Sequence, residues 1–386
     1  MKPRFLAWSG AAVAALLPII IGGGWLLSLP AASAFKAPPP IAKNEHDAML
    51  AALKPPKRPR PLIAIVGIND MSETTDYVMP YGILKRADVA DVVTLATAPG
   101  PVTLYPALKV EPDATIAAFD TAHPDGADYV IVPAMTRNDD PAVLQWIRRQ
   151  AKTGAVIVGI CAGGQVVAST GLLDGKRATT HWYELKDWRD NHPAIQYVAN
   201  RRIVVDRGVA TTTGVSASMP MSLTLIEAIA GRAKAETIAR EIGLPDWDER
   251  HDSNAFKFTR PFALTAIRNA LAFWDREQLG VALTPGIDEV SLALVTDSWS
   301  RTYRSQAVTF AATGDAVVMR NGLRIYPQQV AADWSAERSL PTVGITPPAQ
   351  ALDQTLKGIE TRYGASTADF VAMQLEYPRQ ISGSAN

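Results

Sequence analysis

The chain has 386 residues, enough for two domains, and its 38 basic and 38 acidic side chains cancel, so no global field recruits nucleic acid or an anionic surface. One cysteine excludes a disulfide framework and any cysteine-rich zinc or iron–sulfur site. The five histidines, His46, His123, His181, His192 and His251, show no metal-binding spacing, so neither a metal nor a cofactor is expected.

In chain order, Lys2 and Arg4 precede an uncharged stretch from Phe5 to Phe35. Ala32-Ser33-Ala34 fits a signal-peptide cleavage pattern, whereas the length of the apolar run suits a retained transmembrane anchor. Either way residues 1–35 read as a membrane segment, and the rest is expected on the outer, periplasmic side of the membrane. Residues 36–61, with Pro38-Pro39-Pro40 and alternating Pro, Lys and Arg from Lys54 to Pro61, read as a semi-rigid linker.

The first domain is expected over 62–250. Leu62–Gly67 is a strand-length apolar run, Pro80–Ala87 has helical spacing, and Val92–Ala96 and Tyr129–Pro133 are further strands. Asp139-Asp140-Pro141 opens a helix that Gly154 stops. Ala155–Ile160 is the next strand, and it runs directly into Cys161. Strands alternating with helices imply an α/β fold, a doubly wound, mostly parallel sheet with its site at the strand carboxyl ends.

The stretch Ile160-Cys161-Ala162-Gly163-Gly164 is therefore a strand, a tight turn and a helix start. A thiol on such a turn faces unpaired helix N–H groups, which favour thiolate and leave donors for an oxyanion. This is nucleophile-elbow geometry with sulfur in place of a hydroxyl. An inert buried cysteine is the competing reading.

These residues resemble the ThiJ/PfpI family of the class I glutamine amidotransferase-like superfamily. Ile160-Cys161-Ala162-Gly163 is similar to its nucleophile turn, and Gly171 to Trp182 resembles the stretch that follows it. Asp76, four residues before Pro80, is similar to the family's early acidic residue, and Thr211 to Ala217 to its late strand and turn. The resemblance covers 62–244 and implies a flavodoxin-like sheet sandwiched by helices. It casts Cys161 as nucleophile, Asp76 as its acid/base partner and His181 as a nearby polar group. It places the oxyanion donors among the backbone of Ala162, Gly163, Ala134 and Met135. Glu73 is the second-choice carboxylate, read as a loop residue. The sequence departs from the family at Ala162, where several branches carry histidine or threonine.

Past a connecting loop and helix at 251–279, with the helix read over Pro261–Gln278, residues 280–386 look like a shortened copy of the first domain. An offset of 215 aligns Val92–Ala96 with Ala307–Ala311 and Leu108–Pro112 with Leu323–Pro327, and sets Ser291 opposite Asp76. An offset of 133 aligns Ile226-Glu227 with Ile359-Glu360 and Gly231 with Gly364. The copy has neither the cysteine nor the acid, and an intramolecular pseudo-dimer or a homodimer is expected. The expected function is a cysteine-dependent hydrolase, hydratase or lyase acting on a small electrophilic molecule, without nucleic acid. The alternatives are a non-catalytic thiol sensor or ligand-binding module and, disfavoured by the charge balance and the membrane segment, a relative of the family's transcriptional regulators.

Overall fold

Leu62–Gly67 is buried at every position and forms β1, the strand around which the first half is organised. The computed structural model describes residues 22–379. After β1 come β2 (Asp70–Glu73), α1 (Thr74–Ala87), β3 (Asp91–Ala96), β4 (Val102–Tyr105), β5 (Lys109–Glu111), β6 (Ala114–Thr115) and β7 (Tyr129–Val132). The half continues with α2 (Pro141–Lys152), β8 (Val156–Gly159), α3 (Gly163–Ser169), β9 (Ile203–Asp206), β10 (Val209–Thr212), α4 (Ser218–Ala230) and α5 (Arg232–Glu241). Its main sheet has seven strands in the order β9-β10-β8-β7-β1-β3-β6. Every pairing in it is parallel except β9 with β10, so the expected mostly parallel sheet is present. Parallel strands covered on both faces need continuous apolar runs, which is why β1, β7 and β8 are buried throughout.

The second half contains α6 (Arg260–Leu271), β11 (Glu277–Ala282), α7 (Glu289–Ser300), β12 (Ser305–Ala311), β13 (Val317–Val318), β14 (Arg324–Ile325), β15 (Gln329–Val330), α8 (Pro348–Tyr363) and α9 (Ala365–Gln374). Strands β11, β12 and β15 form a parallel sheet, while β13 and β14 extend a sheet shared with β5, β4 and β2 of the first half. One large apolar core runs through both halves, including Met79 and Ile83 of α1 and Val290 and Leu294 of α7.

Several expectations are corrected. The helix before β3 begins at Thr74, not Pro80, because the Glu73 carboxylate caps it by accepting from the Asp76 N–H at 2.6 Å. Pro80 sits inside it, and burial of the helix from Thr74 to Leu84 outweighs the missing donor. The 36–61 segment does not stand off as a spacer. It contains the Lys43–Ala52 helix, seats Leu53 in the core, and pairs Arg58 with buried Asp128 at 2.6 Å. The connecting helix stops at Leu271, and Glu277–Gln278 already belong to β11, so the second half starts before residue 280.

The expected membrane segment falls largely on residues 1–21, outside the described residues. Residues 22–28 are helical, and their carbonyl end is bound by Arg260, which donates to Leu26 O at 3.2 Å and Leu27 O at 2.9 Å. Among the described residues no helix is long and apolar enough to cross a membrane, so a membrane helix has no support there.

Candidate active site at the junction of the two halves

Cys161 follows β8 with φ of 54°, a left-handed conformation that costs a residue with a Cβ energy. Its surroundings hold it there. The Cys161 N–H donates to Thr212 Oγ1 at 3.1 Å, and Thr180 Oγ1 donates to the Cys161 carbonyl at 3.2 Å. Gly163 lets the turn press against β7, since a Cβ there would stand 2.0 Å from Val132 O.

Cys161 opens into a cleft of about 450 Å3 lined from the first half by Glu73, Ala134, Met135, Ala162 and His181. The other wall comes from the second half, with Phe262 and Ala266 of α6, Arg301, Tyr303 and Phe370. Glu73 closes β2 and is buried, so it is an ordered element terminus instead of a loop residue. Arg301 reaches across from the end of α7: its Nη2 donates to Glu73 Oε1 at 2.6 Å and its Nε to Asp297 Oδ2 at 2.6 Å.

Asp76 is wholly buried, and its N–H donates to Glu73 Oε2 at 2.6 Å. Its Oδ2 accepts from the Ala134 N–H at 3.1 Å, and among the described residues its Oδ1 has no partner. Burial pushes its carboxyl up to about 7, against the Ala134 N–H and the Arg301 charge. Burial also drives Glu73 well above the usual carboxylate range, reinforced by Asp76 and Asp297 and opposed by Arg301.

The thiol departs from the sequence expectation. Burial pushes Cys161 well up, and the negative charges of Asp76, Glu73 and Glu376 add to that, while the Ala162 N–H and the Arg301 charge pull the other way. Near neutrality the resting sulfur is therefore a thiol, and the carboxyl of Asp76 that bears on it titrates lower, at about 7. Attack requires the proton to move first.

The backbone donors are corrected in part. The Ala134 N–H is taken by Asp76, and the Gly163 N–H donates to Ile160 O at 2.7 Å. Ala162 faces the sulfur, and Met135 lines the cleft beside its bridge to Ser72. His181 also lines the cleft, but neither ring nitrogen is free: Nε2 donates to Gln374 O at 3.0 Å and Nδ1 accepts from the Tyr183 N–H at 3.3 Å. This fixes one neutral tautomer, and burial lowers its pKa to about 4. It ties the two halves together and is in no position to exchange protons.

Three contributors were not read from the sequence as part of the site: Thr212, Arg301 and Glu376. Glu376 is buried and accepts from the Trp182 N–H at 2.6 Å and the Gly214 N–H at 2.7 Å. Burial pushes it up to about 7. The internal offset of 215 carries Arg86 onto Arg301, and this is the one sequence signal that points to the arginine.

Residues 63–228 match the DJ-1/PfpI family. The HTH-type transcriptional regulator CdhR of Pseudomonas aeruginosa is 32% identical over 112 residues, covering 29% of this chain and 33% of that protein. Isonitrile hydratase of Pseudomonas putida is 28% identical over 172 residues, 43% of this chain and 72% of that protein. A solved DJ-1 superfamily protein from Salmonella typhimurium is 25% identical, with a TM-score of 0.43, covering 48% of this chain and all of that one. With a named HTH regulator among these relatives, the expectation that nucleic acid plays no part finds no support. The elbow cysteine, the buried acid four residues before Pro80 and the match itself together mark residues 63–228 as the part of this chain that resembles the DJ-1/PfpI family.

Proposed function

We propose that the protein is a cysteine-dependent enzyme that adds Cys161 to a small electrophilic carbon, as a hydrolase, hydratase or lyase would. The observation that carries this reading is the convergence of Cys161, Glu73 and Arg301 on one cleft, with buried Asp76 close enough for its charge to act on the thiol. Sγ bonds to the electrophilic carbon, and the π pair of that carbon moves to its heteroatom. The thiol proton passes to the Asp76 carboxylate, whose pKa of about 7 suits both taking it and returning it to the heteroatom. The Ala162 N–H faces the reacting centre as the available elbow donor. The isonitrile hydratase relative fits a substrate of this class.

The test is a turnover screen of small aldehydes, amides and isonitriles with the wild type and Cys161→Ala. Turnover that disappears with the sulfur supports the enzyme, and equal rates discard it.

A second reading is a ligand- or oxidant-sensing module in which Cys161 does not turn over. The regulator among the relatives favours it. Stoichiometric oxidation of Cys161 by peroxide, with no turnover in the screen, would select it. Export to the periplasmic side of a membrane, supported by the charge and hydropathy of residues 2–35, is part of the same proposal and is tested by cell fractionation.

A further inference from the structure

The two arginines at the ends of α1 and α7 are related in a specific way. Arg301, at the end of α7, pairs with Glu73, which caps α1. Arg86, at the end of α1, pairs with Asp288, which caps α7. Arg86 and Arg301 are 215 residues apart, and so are Glu73 and Asp288. Each helix therefore sends its terminal arginine to the cap of the other, the reciprocity that a two-fold axis imposes on an interface.

The backbone carries the same relation. The hairpin pairs Val102 with Val110 and Thr103 with Lys109, and its counterpart pairs Val317 with Ile325 and Val318 with Arg324, all at the same offset. Where the halves meet in one sheet, Val110 faces Ile325, its own counterpart. A residue facing its own copy lies on the two-fold axis. The helix pairs α4–α5 and α8–α9 break at Gly231 (φ 85°, ψ 165°) and Gly364 (φ 90°, ψ 159°), 133 residues apart.

The symmetry fails in one place that matters chemically. Asp76 is matched by Ser291, and no second thiol exists, so the Arg86–Asp288 pair serves no cysteine. Arg301 instead lines the Cys161 cleft. Its Nε and Nη2 are engaged by Asp297 and Glu73, whereas among the described residues its Nη1 has no hydrogen-bond partner. Tyr303, Phe262 and Phe370 give that wall an aromatic surface beside Arg301. A guanidinium held rigidly by two carboxylates, with one edge left over inside a small aromatic cleft, suits a bound carboxylate.

We propose that the second half, standing where a partner subunit would stand, delivers Arg301 as the anion anchor of the Cys161 cleft, so that the ligand is a small electrophile bearing a carboxylate. This rests on the reading of Cys161 as the reactive group. The carboxylate sits on the Arg301 Nη1 edge, the apolar body lies against the aromatic wall, and the electrophilic carbon is left toward Sγ.

The test compares alkylation of Cys161 by iodoacetate and by iodoacetamide. Both react with the same sulfur, so the ratio of their rates removes any change in thiol ionisation and reports only the preference for a carboxylate. Arg301→Gln should lower the iodoacetate-to-iodoacetamide ratio on the order of tenfold, as loss of a charge-assisted hydrogen bond would. Arg301→Lys should recover most of it. Arg86→Gln, which breaks the symmetry mate, should leave the ratio unchanged. An unchanged ratio in folded Arg301→Gln overturns the proposal, as does an equal fall in Arg86→Gln. Should Arg301→Gln fail to fold, the wild type decides: propionate must protect Cys161 from iodoacetamide better than propionamide does, and equal protection overturns the anchor. A thiol inert to both reagents would instead defeat the underlying reading of Cys161.

Discussion

Thr212 Oγ1 accepts the N–H of Cys161 at 3.1 Å, and this bond clamps the one strained residue of the elbow. The same hydroxyl donates to Thr213 O at 3.0 Å, so its orientation is fixed. Thr212→Val keeps the shape and removes the acceptor, leaving a buried N–H unpaired beside a φ of 54°. We expect a loss of about 1–3 kcal/mol in urea unfolding, accompanied by slower alkylation of Cys161. Wild-type stability and rate in this variant would show that the elbow does not depend on the clamp.

Asp76 makes stability depend on pH with a definite sign. Its carboxyl lies at about 7 in the folded protein against 3.8 when exposed. A group raised in this way contributes stability that is complete below about pH 4 and is lost as pH rises through about 7. Asp76→Asn removes that loss while an amide oxygen can still accept from Ala134. The variant should match the wild type near pH 4 and exceed it near pH 8, by at most about 4 kcal/mol if the full shift is realised. Urea midpoints at the two pH values check this, and a difference that does not grow with pH would show that Asp76 is not buried as a neutral acid.

The strands β1, β3, β7 and β8, the Asp140-capped helix and the elbow were legible because their signals are local: apolar runs of strand length, a cap followed by proline, and a glycine turn. The start of α1 was not, since Pro80 reads as a boundary and only the Glu73 carboxylate overrides it. The Lys43–Ala52 helix was hidden by flanking prolines, and its place is fixed by distant partners such as Tyr129, whose hydroxyl donates to Leu53 O at 2.7 Å. At the site, Cys161 could be named from its strand and glycine turn, and Asp76 from the family resemblance. Arg301 could not be named that way, because its bond to Glu73 spans 228 positions and no local pattern marks it. The structural role of His181 was hidden for a related reason: its partner Gln374 lies 193 positions away, and that contact makes the polar group near the cysteine a structural tie as well.

His181 should therefore matter for stability and not for proton exchange. His181→Phe leaves the Gln374 carbonyl and the Tyr183 N–H without their partner, at a cost of about 1–3 kcal/mol. The pKa of about 4, below the ordinary 6.5, means that the wild type holds this contribution fully above about pH 6.5 and loses it as pH falls through about 4. The stability gap between the two proteins should narrow on acidification, and the pH midpoint of Cys161 alkylation should stay put. A midpoint that moves with His181 would restore it to the chemistry.

The elbow itself can be challenged at Gly163, where the obstacle is backbone. A Cβ there would lie 2.0 Å from Val132 O, on the last residue of β7, and 2.8 Å from the carbonyl carbon of Pro133 just after it, backbone that cannot retreat without disturbing the sheet. At the adjacent Gly164 the nearest atoms are side-chain ones, Thr180 Oγ1 and Trp188 Cζ2, both at 3.1 Å, which can give by a few tenths of an ångström. Gly163→Ala should cost about 3 kcal/mol or more and abolish specific alkylation, while Gly164→Ala costs about 1 kcal/mol. Thermal unfolding of the two variants side by side separates them. Equal, small losses would mean that the turn does not press on β7 and that Cys161 is not held where the chemistry needs it.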